Sequence, residues 1–103
     1  MEENIEIIDK RRDKFVIVPR RVIDDLEAIT TPSMLTTYMA LCVYAGNSDG
    51  QAYPKIATLA RIARCNDRTV RRNLKALEQA GYINVNKRYN DSGRQVSNQY
   101  ILI

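Results

Sequence analysis

The stretch from Asn66 to Ala80 constrains the fold of this 103-residue chain most strongly, because its apolar and charged residues separate on a helical wheel. At about 100° per residue, three apolar side chains fall within roughly 60° of one another. These are Val70, Leu74 and Leu77. Four cations lie on the order of 140° away, in a sector without a carboxylate. They are Arg68, Arg71, Arg72 and Lys75. We therefore predict an amphipathic helix with one buried face.

Both ends of this helix carry the expected signals. Asn66 is a good N-cap, because its side-chain oxygen can accept a hydrogen bond from an N–H of the first turn. Asp67 suits the positive end of the helix dipole. Gly81 stands where helices often end in a left-handed residue. Taken alone, the cationic face is explained as well by a solvated surface, since surface helices are often basic.

Positive charge is concentrated in the second half of the chain, around this helix. The formal net charge is +4, yet residues 1–54 carry six basic and nine acidic side chains. Residues 55–95 carry ten basic and three acidic side chains. A local excess of this size is the expected electrostatic footprint of a surface that binds a polyanion.

Composition argues against several classes of protein. The length fits one domain with a modest core. No apolar run approaches the roughly 18 residues of a membrane span, and the N-terminus lacks a signal peptide's order. The chain has no histidine, no Cys-x-x-Cys motif and no glycine-rich phosphate loop, so we expect no enzyme activity, metal or cofactor. We expect Cys42 and Cys65 to be reduced, buried side chains in a cytoplasmic protein.

Weaker patterns precede the second half of the chain. Residues 1–14 are charged and weakly patterned, and are either a short extended arm around Ile5, Ile7 and Ile8 or disordered. Residues 15–18 predict a brief strand that ends at Pro19. Apolar residues between 22 and 29 then predict one or two helical turns.

A central helix is predicted from Thr31, as cap, and Pro32, as first helical residue, to about residue 45. Its apolar side chains form a stripe that is wide enough for the middle of a small bundle, so we expect its tyrosines and methionines to be core. The stripe comprises Leu35, Tyr38, Met39 and Cys42, and is widened by Met34, Leu41 and Tyr44. A turn-rich loop at 46–50 and a short strand at 51–53 should follow.

The next two helices are predicted to form a helix-turn-helix unit. One helix runs from Pro54 to about Ala63, and Arg64 and Cys65 make a tight connection to the Asn66 helix. Beyond Gly81, alternating residues predict strands over 82–89 and 96–103 with a turn at 90–93. We expect four side chains of this hairpin to face the core, and three cations to lie at its tip. The core residues are Ile83, Val85, Tyr100 and Leu102, and the cations are Lys87, Arg88 and Arg94.

This order of elements resembles a winged helix domain. Short motifs strengthen the resemblance to the helix-turn-helix family found in phage and plasmid replication proteins and in small bacterial transcriptional regulators. They are Tyr53-Pro54, Leu59-Ala60, Arg68-Thr69-Val70, the run from Leu77 to Ile83, and Asn98-Gln99-Tyr100. The resemblance covers residues 32–103 and implies an α+β fold: a three-helix core with a β-hairpin wing, plus a short N-terminal strand and helix over residues 1–31.

Arg64 departs from the family pattern, which usually has glycine in this turn. If the position is left-handed, a non-glycine residue there costs roughly 1 kcal/mol. Either the turn differs slightly in this chain, or the chain tolerates the strain.

The resemblance implies binding to double-stranded DNA through a recognition helix and a basic wing. We expect arginines in the N-terminal half of the recognition helix to contact bases, and the other cations to contact the backbone or the adjacent minor groove. Asn66 is expected mainly to cap. The predicted DNA-binding residues are Lys55, Arg64, Asn66, Arg68, Arg71, Arg72, Lys75, Lys87, Arg88 and Arg94.

The biological setting stays open at this level. We expect a role in plasmid or phage replication or in mobile-element regulation, with replication or mobile-element proteins as further partners. A dedicated transcriptional repressor is an alternative, as is a winged helix that binds an acidic protein. One domain of this size covers one half-site, so we expect a homodimer, with the segment before residue 31 as the dimerisation element. We expect no membrane contact. The chain is either a complete small protein or the N-terminal domain of a longer one.

Overall fold

A computed structural model of the chain describes residues 5–45 and 54–103. Its helices are α1 (Arg20–Asp24), α2 (Pro32–Tyr44), α3 (Ile56–Ala63) and α4 (Asp67–Gln79), and its strands are β1 (Ile83–Tyr89) and β2 (Gln95–Leu102). The two strands pair antiparallel as a hairpin. This order confirms the predicted α+β winged helix-turn-helix fold. The predicted loop at 46–50 and strand at 51–53 lie outside the described residues.

The apolar face of α4 is buried against α2 and α3. Val70, Leu74 and Leu77 all belong to the core, as the wheel predicts. Each fully buried side chain of this size stabilises the fold by about 1.5–3 kcal/mol. The N-terminus of α4 is also as predicted: the Asn66 side-chain oxygen accepts a hydrogen bond from the Thr69 N–H at 2.8 Å. After the helix, Gly81 has a φ of 85°.

Asn73, which lies on the same side of α4, is a buried polar residue that the sequence analysis did not single out. Its side-chain amide donates to Thr37 Oγ1 at 3.2 Å and to Ser33 Oγ at 3.1 Å. Thr37 is 0% exposed, so this bond satisfies a hydroxyl that water cannot reach. The contact fixes how α4 is rotated against α2.

The central helix α2 starts as predicted and buries a somewhat different face. The Thr31 side chain accepts from the Met34 N–H at 3.2 Å, and Pro32 is the first helical residue. Met34 and Tyr38 are buried, which confirms their core role, but Met39 is 42% exposed. The predicted stripe was wrong at Met39, because this residue lies about 140° around the helix from Met34.

The turn between α3 and α4 is left-handed at Arg64, with φ 58° and ψ 43°. The chain therefore tolerates a strained non-glycine residue at this position. Local hydrogen bonds support the turn: Arg64 Nη1 donates to the Ile62 carbonyl at 2.7 Å, and the Cys65 N–H donates to the Ala60 carbonyl at 3.1 Å. Thr36 Oγ1, from α2, donates to the Ala63 carbonyl at 2.8 Å.

The N-terminal part of the chain differs from prediction. The predicted strand at 15–18 is wrong: these residues have no strand structure, and Ile17 is 83% exposed. A strand needs a hydrogen-bonded neighbour, and within the described residues the only sheet is the hairpin. The one or two helical turns predicted between residues 22 and 29 are present but begin earlier, since α1 runs from Arg20 to Asp24. The Asp25 side chain then accepts from the Ala28 N–H at 3.0 Å, in a turn.

Contacts around Tyr82 attach α1 to the base of the hairpin. Val22 is fully buried in the core, and the Tyr82 hydroxyl donates to Asp25 Oδ2 at 2.5 Å. This hydrogen bond lowers the pKa of the Asp25 carboxyl and raises the pKa of Tyr82. The Arg21 guanidinium lies 4.8 Å from the centroid of the Tyr82 ring and donates to the carbonyl of Ile103.

The hairpin packs one side on the helices, as predicted. Ile83 pairs with Leu102 and Val85 with Tyr100, with a register irregularity between Asn86 and Arg88. Ile83 is fully buried, and Leu102, Val85 and Tyr100 pack against the core. No helix within the described residues is long and apolar enough to cross a membrane.

The left-handed turn generates a stability prediction. We expect Arg64→Gly to have a free energy of unfolding roughly 0.5–1 kcal/mol higher than Arg64→Ala. Relief of the left-handed strain, about 1–2 kcal/mol, should exceed the extra entropy that glycine gives the unfolded chain, about 0.4–1 kcal/mol. Both variants lack the guanidinium, so urea denaturation of the two isolates the backbone effect. A glycine variant no more stable than the alanine variant would contradict it.

Candidate nucleic-acid interface

The outward face of α4 carries the cations predicted there. Arg68, Arg71, Arg72 and Lys75 are all exposed, while the opposite face of the helix is buried. The helix has 13 residues and is therefore about 20 Å long. Because tertiary packing holds its apolar side, its cations have one orientation relative to the rest of the domain.

A groove of about 450 Å³ joins this face of α4 to the start of α3 and to the hairpin. Four cations line it, and they come from three separate parts of the fold. They are Lys55 before α3, Arg71 and Lys75 on α4, and Lys87 on β1. Apolar side chains also line the groove: Ile56, Leu74, Val85, Val96 and Tyr100. The fold thus brings together cations that are up to 32 positions apart in the sequence, from Lys55 to Lys87.

The remaining predicted residues lie outside this groove. Arg68 and Arg72 are exposed on α4, and Arg94 is exposed just before β2. Arg64 lies at the turn, where its guanidinium bonds to the Ile62 carbonyl, and Asn66 caps α4. The side-chain oxygen of Asn66 is therefore engaged by its own helix.

Arg88 differs from the other wing cations because it is partly buried. Its Nη1 donates to the Ser97 carbonyl at 3.2 Å, across the hairpin near the register irregularity. Lys87, one residue earlier, is exposed and lines the groove. The two neighbours therefore differ in position, since successive residues of a strand point to opposite faces.

Glu78 is a carboxylate within the cationic surface, and the prediction of a sector without one was wrong. It lines the groove together with Arg71 and Lys75, and its Oε2 accepts from the Val85 N–H at 3.2 Å. The signal was present in the spacing, because Glu78 follows Arg71 by seven residues and therefore lies on the same side of the helix. This contact also links the end of α4 to β1.

Polar groups of β2 complete the groove and were not predicted to be part of the site. Asn98 lines it and accepts a hydrogen bond from the Gln95 side chain at 3.1 Å. Tyr100 lies beside them, and burial raises the pKa of its hydroxyl, so the phenol is neutral at neutral pH. Within the described residues, no group of His, Cys, Asp and Glu side chains could hold a metal ion.

A family model described as a helix-turn-helix domain matches residues 31–83. This chain belongs to that family. The match spans α2, α3, α4 and the first residue of β1, and the hairpin that follows fits a winged helix-turn-helix. Membership supports a DNA-binding role, with DNA as a partner. Neither a search of curated proteins nor a search of solved structures gave a significant match.

The carboxylate in the groove generates a binding prediction. We expect Glu78→Gln to bind duplex DNA about two- to fivefold more tightly at low salt, because a like charge near the phosphates is removed at a solvated site. The glutamine oxygen can still accept from the Val85 N–H. Fluorescence anisotropy titrations give the dissociation constants.

Glu27→Gln is the matched control, since it makes the same charge change at an exposed residue in the turn after α1. We expect its dissociation constant to stay at the wild-type value. An equal effect of both substitutions, or none from Glu78→Gln, would contradict the placement of the groove against DNA.

Proposed function

We propose that this protein binds duplex DNA sequence-specifically, with the N-terminal half of α4 in the major groove. The observation that carries the proposal is the groove in which cations from α4, the start of α3 and the hairpin lie together. An α-helix fits the major groove, and the second helix of a helix-turn-helix presents its N-terminal residues to base edges.

The base-contacting role is assigned to Arg68, Arg71 and Arg72. All three are exposed and lie in the first half of α4. A guanidinium can grip O6 and N7 of a guanine in a bidentate way, which is worth about 1–3 kcal/mol against the wrong base. Lys75, one turn later on the same face as Arg71, is assigned to a phosphate.

The remaining cations are assigned to the DNA backbone. Lys55 precedes the N-terminus of α3, where free N–H groups add to the attraction of a phosphate. Lys87 and Arg94 of the wing would lie along the backbone or in the adjacent minor groove. Arg88 joins them in the proposal, since a guanidinium has five N–H donors and can bind Ser97 and a phosphate together. Arg64, which lies at the turn, is assigned to a phosphate. Asn66 is placed at the edge of the proposed DNA-binding surface.

The biological process proposed is plasmid or phage replication, or the regulation of a mobile element. A dedicated transcriptional repressor is the alternative within DNA binding, and replication or mobile-element proteins are proposed as further partners. The protein acts without enzymatic activity in this proposal, in the cytoplasm, where such DNA is found. We also keep the proposed division into an N-terminal segment, residues 1–31, and a winged helix domain, residues 32–103.

Apolar side chains in the groove favour a second function, in which the same surface binds an acidic protein segment. Val96 and Tyr100 would contact apolar side chains of such a partner, and the surrounding cations would pair with its carboxylates. Sequence preference separates the two functions, because a protein-binding module has no reason to discriminate between duplexes.

A homodimer is part of the proposal, with the segment before residue 31 as its contact. Support comes from the exposed apolar side chains of that segment. They are Ile5, Ile7, Ile8, Phe15, Val16, Ile17, Ile23 and Leu26. Two copies would cover two half-sites of a palindromic target.

Two single substitutions test the assignment of roles. We expect Arg71→Ala to lose about 1–3 kcal/mol of binding free energy at the base that Arg71 contacts. The sequence preference of the protein should therefore change at that position. We expect Lys87→Ala to weaken binding to all sequences about equally and to reduce the salt slope by roughly 0.9. Titrations of both variants against a panel of single-base changes in the preferred site give these values.

The comparison is matched, because each variant loses one positive charge from the same groove. If both variants lost the same affinity for every sequence of the panel, the roles assigned to Arg71 and Lys87 would be contradicted.

A further inference from the structure

The N-terminal half of the chain contains a second concentration of positive charge that its overall negative balance conceals. All six basic side chains of residues 1–54 lie between Lys10 and Arg21, a stretch that contains only one acidic residue, Asp13. The other eight acidic residues of this half lie before and after the stretch. A short segment of the chain is therefore strongly basic, outside the winged helix domain.

Three of these six cations are already engaged within the protein. Arg11 pairs with Asp9 at 2.6 Å and lies 5.5 Å from the centroid of the Phe15 ring. Arg20 pairs with Asp24 at 3.1 Å. Arg21, described above, contacts Tyr82 and the carbonyl of Ile103.

The other three cations, Lys10, Arg12 and Lys14, have no such contacts. They are exposed, and within residues 5–45 and 54–103 the structure gives them no hydrogen-bond or ion-pair partner. Like charges this close repel one another, so the clustering costs free energy unless an anion offsets it. The segment has no regular secondary structure and only a bend at Asp13.

The segment is attached to the domain at the base of the hairpin. Val18 packs against the core, Val22 is buried in it, and Arg21 bonds to the residue that follows β2. From Val18, the eight residues back to Lys10 can span up to about 26–29 Å when extended. That reach exceeds the length of α4, about 20 Å, so the cations can lie well away from the point of attachment.

We propose that Lys10, Arg12 and Lys14 form a basic arm that binds phosphates of the duplex held by α4, next to the stretch that the wing contacts. The inference rests on the proposed DNA-binding function. In an extended segment, alternate residues lie on the same side and are about 6.6 Å apart, so three cations at alternate positions can face one partner together. The three cations occupy alternate positions, while the interleaved Arg11 is held by Asp9 and Phe15.

The test compares two double variants of the full chain that remove the same charge. Lys10→Gln with Arg12→Gln removes two cations of the arm, and Arg11→Gln with Arg20→Gln removes two engaged cations. Each phosphate contact contributes about 0.9 to the slope of log K against log salt. The arm variant should therefore lose about 1.8 from this slope, so that its binding weakens roughly 12-fold less than wild-type binding between 50 and 200 mM salt.

The expected result is this loss of slope in the arm variant, with the wild-type slope in the control variant. A wild-type slope in the arm variant, or an equal loss of slope in both variants, would overturn the proposal of a basic arm. If the arm variant instead changes from dimer to monomer in sedimentation, the segment acts through a protein contact and the inference is also overturned. A wild-type chain that binds no duplex would refute the proposed function itself, which distinguishes that failure from a failure of the arm alone.

Discussion

Burial of Val70, Leu74 and Leu77 against α2 and α3 is the constraint on which the rest of the structure depends. Because these three side chains must leave water, α4 has only one side that it can present outward, and that side carries its cations. Apolar burial alone would permit a small rotation of the helix. The hydrogen bonds from Asn73 to Ser33 and Thr37 remove this freedom, since a rotation would leave the buried Thr37 hydroxyl without a partner.

The other parts of the site are held at distances that this packing sets. The left-handed Arg64 turn joins α3 directly to α4, so the position of Lys55 at the start of α3 is tied to the position of the recognition helix. At its far end, α4 is linked to the hairpin through Glu78 and the Val85 N–H. The groove is therefore built by two junctions, the Arg64 turn and the Glu78 contact, on one packed core. A surface made in this way presents its charges in a fixed pattern, which sequence-specific binding needs.

Most of the domain could be predicted from the sequence, because its signals are local. The Asn66 cap, the Thr31-Pro32 start and the left-handed Gly81 depend on neighbouring residues only. Errors arose where distant contacts decide. The isolated strand at 15–18 had no neighbour, and Met39 was assigned to the core without knowledge of which face the other helices cover. Glu78 was missed for a different reason, since its seven-residue spacing from Arg71 was available in the sequence.

The most direct test of sequence-specific DNA binding is selection of the full chain on a random pool of duplex DNA, followed by binding isotherms of the selected and unselected pools at two salt concentrations. We expect a defined sequence motif to be recovered and the affinity for it to fall steeply as salt rises, because several phosphate contacts release counterions. A pool without enrichment, retained weakly and without sequence preference at both salt concentrations, would contradict it.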